Sequence, residues 1–100
     1  MENNVHEIEQ YLLVLGPNCR RGDYGEAARI LNQFLALLQN PSVQKVLSQI
    51  SPGLIKKFNY SLETIFIMFK NQDWVAVADI IEYELIGLWK EIIGASELGN

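Results

Sequence analysis

Asp23-Tyr24-Gly25-Glu26-Ala27-Ala28-Arg29-Ile30-Leu31 and, fifty positions later, Asp73-Trp74-Val75-Ala76-Val77-Ala78-Asp79-Ile80-Ile81 decide how this chain is read. Each stretch opens on an aspartate suited to capping a helix, follows it with an aromatic residue, and continues with Ala28 or Ala78 and the apolar pairs Ile30-Leu31 or Ile80-Ile81. The match extends both ways. Leu35 aligns with Leu85 and Leu38 with Leu88, while Val5, Ile8, Leu12 and Leu15 align with Ile55, Phe58, Leu62 and Ile65. Residues 4–38 and 54–88 therefore read as two copies of one helical hairpin. Neither half can bury its apolar face alone, so the two are expected to pack together.

Apolar residues step by three and four throughout. The segments give Val5, Ile8, Leu12, Leu15; Tyr24, Ala28, Leu31, Leu35, Leu38; Ile55, Phe58, Leu62, Ile65, Phe69; and Trp74, Ala78, Ile81, Leu85, Leu88, Ile92. These are seams of helices that cross at a shallow angle. No stretch alternates with period two for long enough to form a strand. The expected fold is all-α: an antiparallel four-helix bundle made of two repeated hairpins, as one domain over 1–100. Hairpin one covers about 4–39, a short connecting helix about 42–50, and hairpin two about 52–93.

The breaks have physical causes. Gly16-Pro17 either ends helix one or kinks it, since proline lacks a backbone donor and restricts the residue before it. Gly22 suits a helix C-terminus. Asp23 with Glu26 spells a capping box for helix two. Asn40-Pro41 stops helix two, Ser42 is placed to cap the turn carrying Val43, Val46, Leu47 and Ile50, and Ser51-Pro52 opens helix three. Asp73 caps helix four after the tight turn Asn71-Gln72, and Gly94 is expected to end it.

Composition bounds the function. At 49% hydrophobic residues the 100-residue chain can bury a core, and 20% charged residues leaves apolar surface over for a partner. A net charge of −4 argues against nucleic acid, because phosphate binding needs a concentrated basic surface. The pairs Arg20-Arg21 and Lys56-Lys57 fit solvated helix ends. Cys19 is the single cysteine, which excludes an intrachain disulfide and a multi-cysteine zinc site. The polar start resembles no signal peptide, and no apolar run reaches the roughly 18–20 residues of a membrane span. A cytoplasmic protein, with no membrane partner, is expected.

Catalytic chemistry finds no constellation here. His6 stands among polar residues without a nucleophile spaced to meet it. Cys19 reads as a loop or core-edge thiol whose pKa the neighbouring Arg20 and Arg21 could lower. Glu82 and Glu84 lack the histidine at i+3 that a di-iron bundle uses. Phosphate-loop, dinucleotide and nucleophile-elbow motifs are absent. The expectation is a protein that is not an enzyme and holds no cofactor or metal.

Two features suit partner binding instead. Asp79, Glu82 and Glu84 surround Tyr83, and the i±4 places that could neutralise them hold Val75, Ala78, Ile80, Ile86 and Leu88. This reads either as a solvated outer face or as an acidic recognition patch for a basic partner. Helix two carries Ala27, Ile30, Phe34 and Leu37 as a second apolar stripe beside its seam. That stripe is expected to form a homodimer contact or a docking surface for a partner helix, the competing account being that residues 42–50 fold back over it. Tyr60 and Ile67 on helix three, with Ile86, Trp89 and Ile93 on helix four, add further apolar residues off the seams.

Lys70-Asn71-Gln72-Asp73, leading into a helix that closes on Trp89-Lys90-Glu91-Ile92, resembles the final hairpin of the bacterial flagellar export chaperones, and Arg21 to Leu38 resembles an earlier one. Those are small acidic helical bundles that hold a disordered flagellin segment. The resemblance implies a non-catalytic chaperone or adaptor. With the residue-level reading it leads to a protein-protein interaction module whose partner is another protein or a second copy. The alternative is a small-molecule or metal-binding bundle that serves an enzyme as an accessory.

Overall fold

A computed structural model describes residues 2–98, and among them every regular element is helical. Helix α1 is Glu2–Arg20, α2 Tyr24–Leu38, α3 Pro41–Ser48 and α4 Pro52–Lys70. Helix α5 (Trp74–Ile80) continues through a π-helical turn (Ile81–Leu85) into α6 (Ile86–Leu98). The chain is a helical bundle. Helix α1 packs along α2 on one side and along α5, the π turn and α6 on another, while α4 packs on α5, the π turn and α6. One core cluster unites Ile8, Leu12 and Leu15 of α1, Ile30, Leu31 and Phe34 of α2, Phe58 and Ile65 of α4, and Ile81, Leu85 and Trp89 of the last helices.

The α1–α2 and α4–α5 turns are built alike. In the first, Arg21 N–H donates to Pro17 O, Gly22 to Cys19 O, Asp23 to Asn18 O and Ala27 to Asp23 O. In the second, Asn71 donates to Ile67 O, Gln72 to Phe69 O, Asp73 to Met68 O and Val77 to Asp73 O. Each bond of one turn recurs fifty positions on in the other. Both turns need a left-handed residue, at Gly22 with φ 79° and at Gln72 with φ 60°. Tyr24 and Trp74, fifty positions apart, stack on each other with ring centroids 4.5 Å apart.

Several local expectations change. Of the two outcomes open at Gly16-Pro17, an end of the helix is ruled out: α1 runs through to Arg20. Pro17 is exposed, so the Leu13 carbonyl that its missing N–H leaves free lies on the exposed side of the helix, where Leu13 itself is exposed. Asp23 stands at the N-cap of α2 but makes no side-chain cap bond, and Glu26 pairs with Arg29 instead of completing a capping box. Asn40, not Ser42, caps α3: its Oδ1 accepts from Ser42 N at 2.9 Å. Helix α6 continues past Gly94 to Leu98.

The largest change concerns α2. Its buried residues are Ala27, Ile30, Leu31, Phe34 and Leu38, whereas the seam residues Tyr24, Ala28 and Leu35 lie exposed or half-buried. The stripe Ala27, Ile30, Phe34 expected to be a docking ridge is core, with Phe34 0% exposed and Leu37 half-buried at its edge. Part of the reason is α3, which packs on both α1 and α2. Asn4 Nδ2 donates to Ser42 Oγ at 3.3 Å, Gln44 Nε2 donates to Leu38 O at 2.5 Å, and Val43 is fully buried. The connecting helix does fold back, as the apolar pattern of 42–50 permits, and the rest of the packing on α2 comes from α1.

Candidate functional site

The acidic segment sits on the π turn. A π turn adds a residue to the helical circuit and shifts the side chains that follow it around the axis. Ile81 and Leu85 at its two ends are both buried, which pins the widened turn to the core. Its carboxylates diverge. Glu82 turns to α1, where its Oε1 accepts from Arg20 Nε at 3.0 Å and from Nη2 at 2.8 Å, and the same Nη2 reaches Asp79 Oδ1 at 2.8 Å. Glu84 turns to α4, where its Oε1 accepts from Ser61 Oγ at 3.2 Å.

This corrects the reading of an unneutralised patch. No cation stands at i±4 on the same helix, but Arg20 arrives from α1 and pairs with both Asp79 and Glu82. The two carboxylates hold the guanidinium pKa above its ordinary value. A glycine makes the approach possible: a Cβ on Gly16 would lie 2.5 Å from Glu82 Oε2. Of the four residues, Tyr83 and Glu84 remain exposed, with no cation paired to them among the described residues.

Those two lead to an open groove of about 660 Å³ between α4 and the wall formed by the π turn and α6. Phe58 packs on Trp89 with ring centroids 5.6 Å apart and Ser61 meets Glu84, so the two walls run antiparallel and the groove lies over this seam. Helix α4 contributes Lys56, Lys57, Tyr60 and Ser61; the other wall contributes Tyr83, Glu84, Gly87, Leu88 and Glu91. Tyr60 is 69% exposed and Tyr83 79%. Gly87 would meet nothing within 4 Å if it carried a Cβ, so this part of the wall is bare backbone facing open space. Among the described residues, Lys56, Lys57 and Glu91 form no ion pair.

A second depression, between α1 and α2, is polar and largely satisfied from within: Arg29 pairs with Glu26 and Arg21 donates to Asn18. The groove residues Lys56, Lys57, Ser61, Gly87, Leu88 and Glu91 were not singled out from the sequence as a site. The signal available was Tyr60, which falls opposite the α4 seam. Trp89 and Ile93, which read as surplus apolar residues, are buried instead, and Trp89 Nε1 donates to Val5 O at 3.0 Å.

His6 is exposed and lies about 20 Å along α1 from Cys19 at the helical rise. Burial pushes the Cys19 thiol pKa up; the Arg20 charge lowers it by less, and Glu82 adds to the rise. No group of three or more His, Cys, Asp or Glu side chains positioned to hold a metal ion occurs among the described residues, and no described helix is long and apolar enough to cross a membrane.

No curated protein and no solved structure matches the chain. A family model does match, over residues 2–94, and nearly the whole bundle falls within it. On that match, this chain belongs to the family described as a domain of unknown function, DUF8042.

Proposed function

We propose that this chain is a non-catalytic protein-interaction module, an adaptor, chaperone-like or regulatory protein, that holds a protein partner in the groove between α4 and α6. The observation that carries this reading is the pair Tyr60 and Tyr83, one on each wall and both mostly exposed. Exposed tyrosines flanking a glycine-lined depression offer large contact area at little conformational cost, and such residues are enriched where proteins meet. The docking surface thereby moves from Ala27, Ile30, Phe34 and Leu37 to the opposite hairpin, and of the acidic segment it keeps Tyr83 and Glu84.

The architecture behind this reading is an antiparallel four-helix bundle of two repeated hairpins. Support comes from α1 and α4, each 19 residues long and offset by fifty positions, from the like hydrogen bonds of the two turns, and from the Tyr24–Trp74 stack between equivalent residues. Resemblance to the flagellar export chaperones points the same way, to a helical bundle that holds another chain. A cytoplasmic setting fits the one cysteine being a free, buried thiol.

The test is affinity capture from the native host with the wild-type chain and with Tyr60→Ser/Tyr83→Ser as baits. Both side chains are largely exposed, so the double variant should keep its circular dichroism and melting behaviour. A stoichiometric protein held by the wild type and lost by the variant is expected. A partner retained equally by both would remove the groove from the reading.

A further inference from the structure

We propose that the occupant of the α4–α6 groove is the same groove of a second copy of this chain, giving a two-fold symmetric dimer. This rests on the groove being the interaction surface. The argument is charge. The α4 wall carries Lys56 and Lys57, the facing wall carries Glu91 and Glu84, and apart from the Ser61–Glu84 hydrogen bond none of these charges has a partner among the described residues. A two-fold axis along the groove exchanges the walls. It sets the lysines of each copy on the carboxylates of the other and crosses α4 of one copy antiparallel over α6 of its partner.

The same operation brings each Tyr60 toward the bare backbone at the partner's Gly87, where no Cβ stands in the way. Ile67, one heptad after Tyr60 on the same face of α4 and 55% exposed, extends the apolar contact along the helix. An isologous interface must be self-complementary, and a groove with one basic wall and one acidic wall meets that condition by itself.

Sedimentation of the purified chain tests this directly. The wild type should be a dimer at micromolar concentration, with a dissociation constant that rises with salt. Lys57→Glu alone and Glu91→Lys alone should each weaken the dimer by about tenfold, because each variant sets like charges together at both symmetric contacts. Mixing the two variants should restore association as a heterodimer, since both 57–91 pairs across the axis then have opposite signs. Gly87→Gln, which adds a side chain where the monomer has open space, should remain folded and become monomeric. A monomeric wild type at hundreds of micromolar would overturn the proposal, as would a dimer indifferent to all three variants. A chain that is monomeric yet captures a different protein, and loses it on Tyr60→Ser/Tyr83→Ser, would refute the second copy and leave the interaction module standing.

Discussion

Phe34 and Tyr60 are aromatic residues that both stand off the seams expected for their helices, yet Phe34 is 0% exposed and Tyr60 69%. The difference is the neighbour. Helix α2 is packed by α1 and capped across by α3, whereas α4 packs only on the α5–α6 rod among the stronger contacts. The same logic separates two leucines fifty positions apart. Leu85 is fully buried at the end of the π turn, and Leu85→Ala should lower the unfolding free energy by about 2–5 kcal/mol. Leu35 is half-buried, so Leu35→Ala should lose distinctly less, a ranking that denaturant titration of both variants would check. Cys19 gives a second prediction. Burial holds its folded pKa above the unfolded value, so its contribution to stability is full below the ordinary thiol range and declines as pH climbs above it. Alkylation by iodoacetamide at mildly alkaline pH should therefore be slow in the native protein and become rapid on adding denaturant. Fast native-state labelling would contradict the buried placement.

At the scale of elements, the two turns form an internal control. Both place a residue at positive φ after the helix, but one uses Gly22 and the other Gln72. A side chain in that region carries a strain of about 1–2 kcal/mol that glycine avoids, less the extra chain entropy glycine loses on folding. Gln72→Gly should accordingly stabilise the protein by about 0.5–1 kcal/mol. A lower denaturation midpoint for Gln72→Gly would show that the glutamine side chain makes an offsetting contribution. The aspartates diverge as well. Asp73 Oδ1 accepts from Ala76 N at 3.1 Å and holds the first turn of α5, while Asp23 makes no such bond. In the first hairpin Glu26 is drawn away to Arg29, whose hydrogen bonds, aided by its charge, keep the Glu26 carboxyl pKa below the usual range. Equivalent positions thus share backbone bonds and differ in side-chain bonds, because turn geometry is set by the chain while a cap depends on what else competes for the side chain.

For the molecule as a whole, bonds between distant segments tie the helices together. Trp89 Nε1 reaches the Val5 carbonyl across 84 positions, and Arg20 joins α1 to the π turn. Trp89→Phe would remove the buried donor and leave space where the larger ring stood. A loss of about 1–3 kcal/mol is expected from the hydrogen bond and the unfilled volume together, measurable as a shift in the urea midpoint. An unchanged midpoint would mean that neither the bond nor the ring volume is needed for packing α6 on α1.

Much of this was legible in the residues alone. Helical periodicity, the turn positions at Gly22 and Asn71-Gln72, the cap at Asp73 and the fifty-residue offset are local properties, decided by backbone hydrogen bonding and by the three-to-four spacing of apolar side chains. The all-helical fold followed from them. What the residues did not decide is which of two adjacent stripes on α2 turns inward. Ala27, Ile30 and Phe34 compete there with Tyr24, Ala28 and Leu35, and the two sets differ by a modest rotation about one axis that only the positions of α1 and α3 select. Nor could helix-local spacing place Arg20 beside Asp79 and Glu82, since those partners lie 59 and 62 positions away. The groove is of the same kind: its walls come from two hairpin arms whose separation is set by how Phe58 meets Trp89 in the core. Local order came from the chain, and the choice of buried faces, charge partners and open surface came from packing, because each of those depends on distances between segments that sequence spacing does not contain.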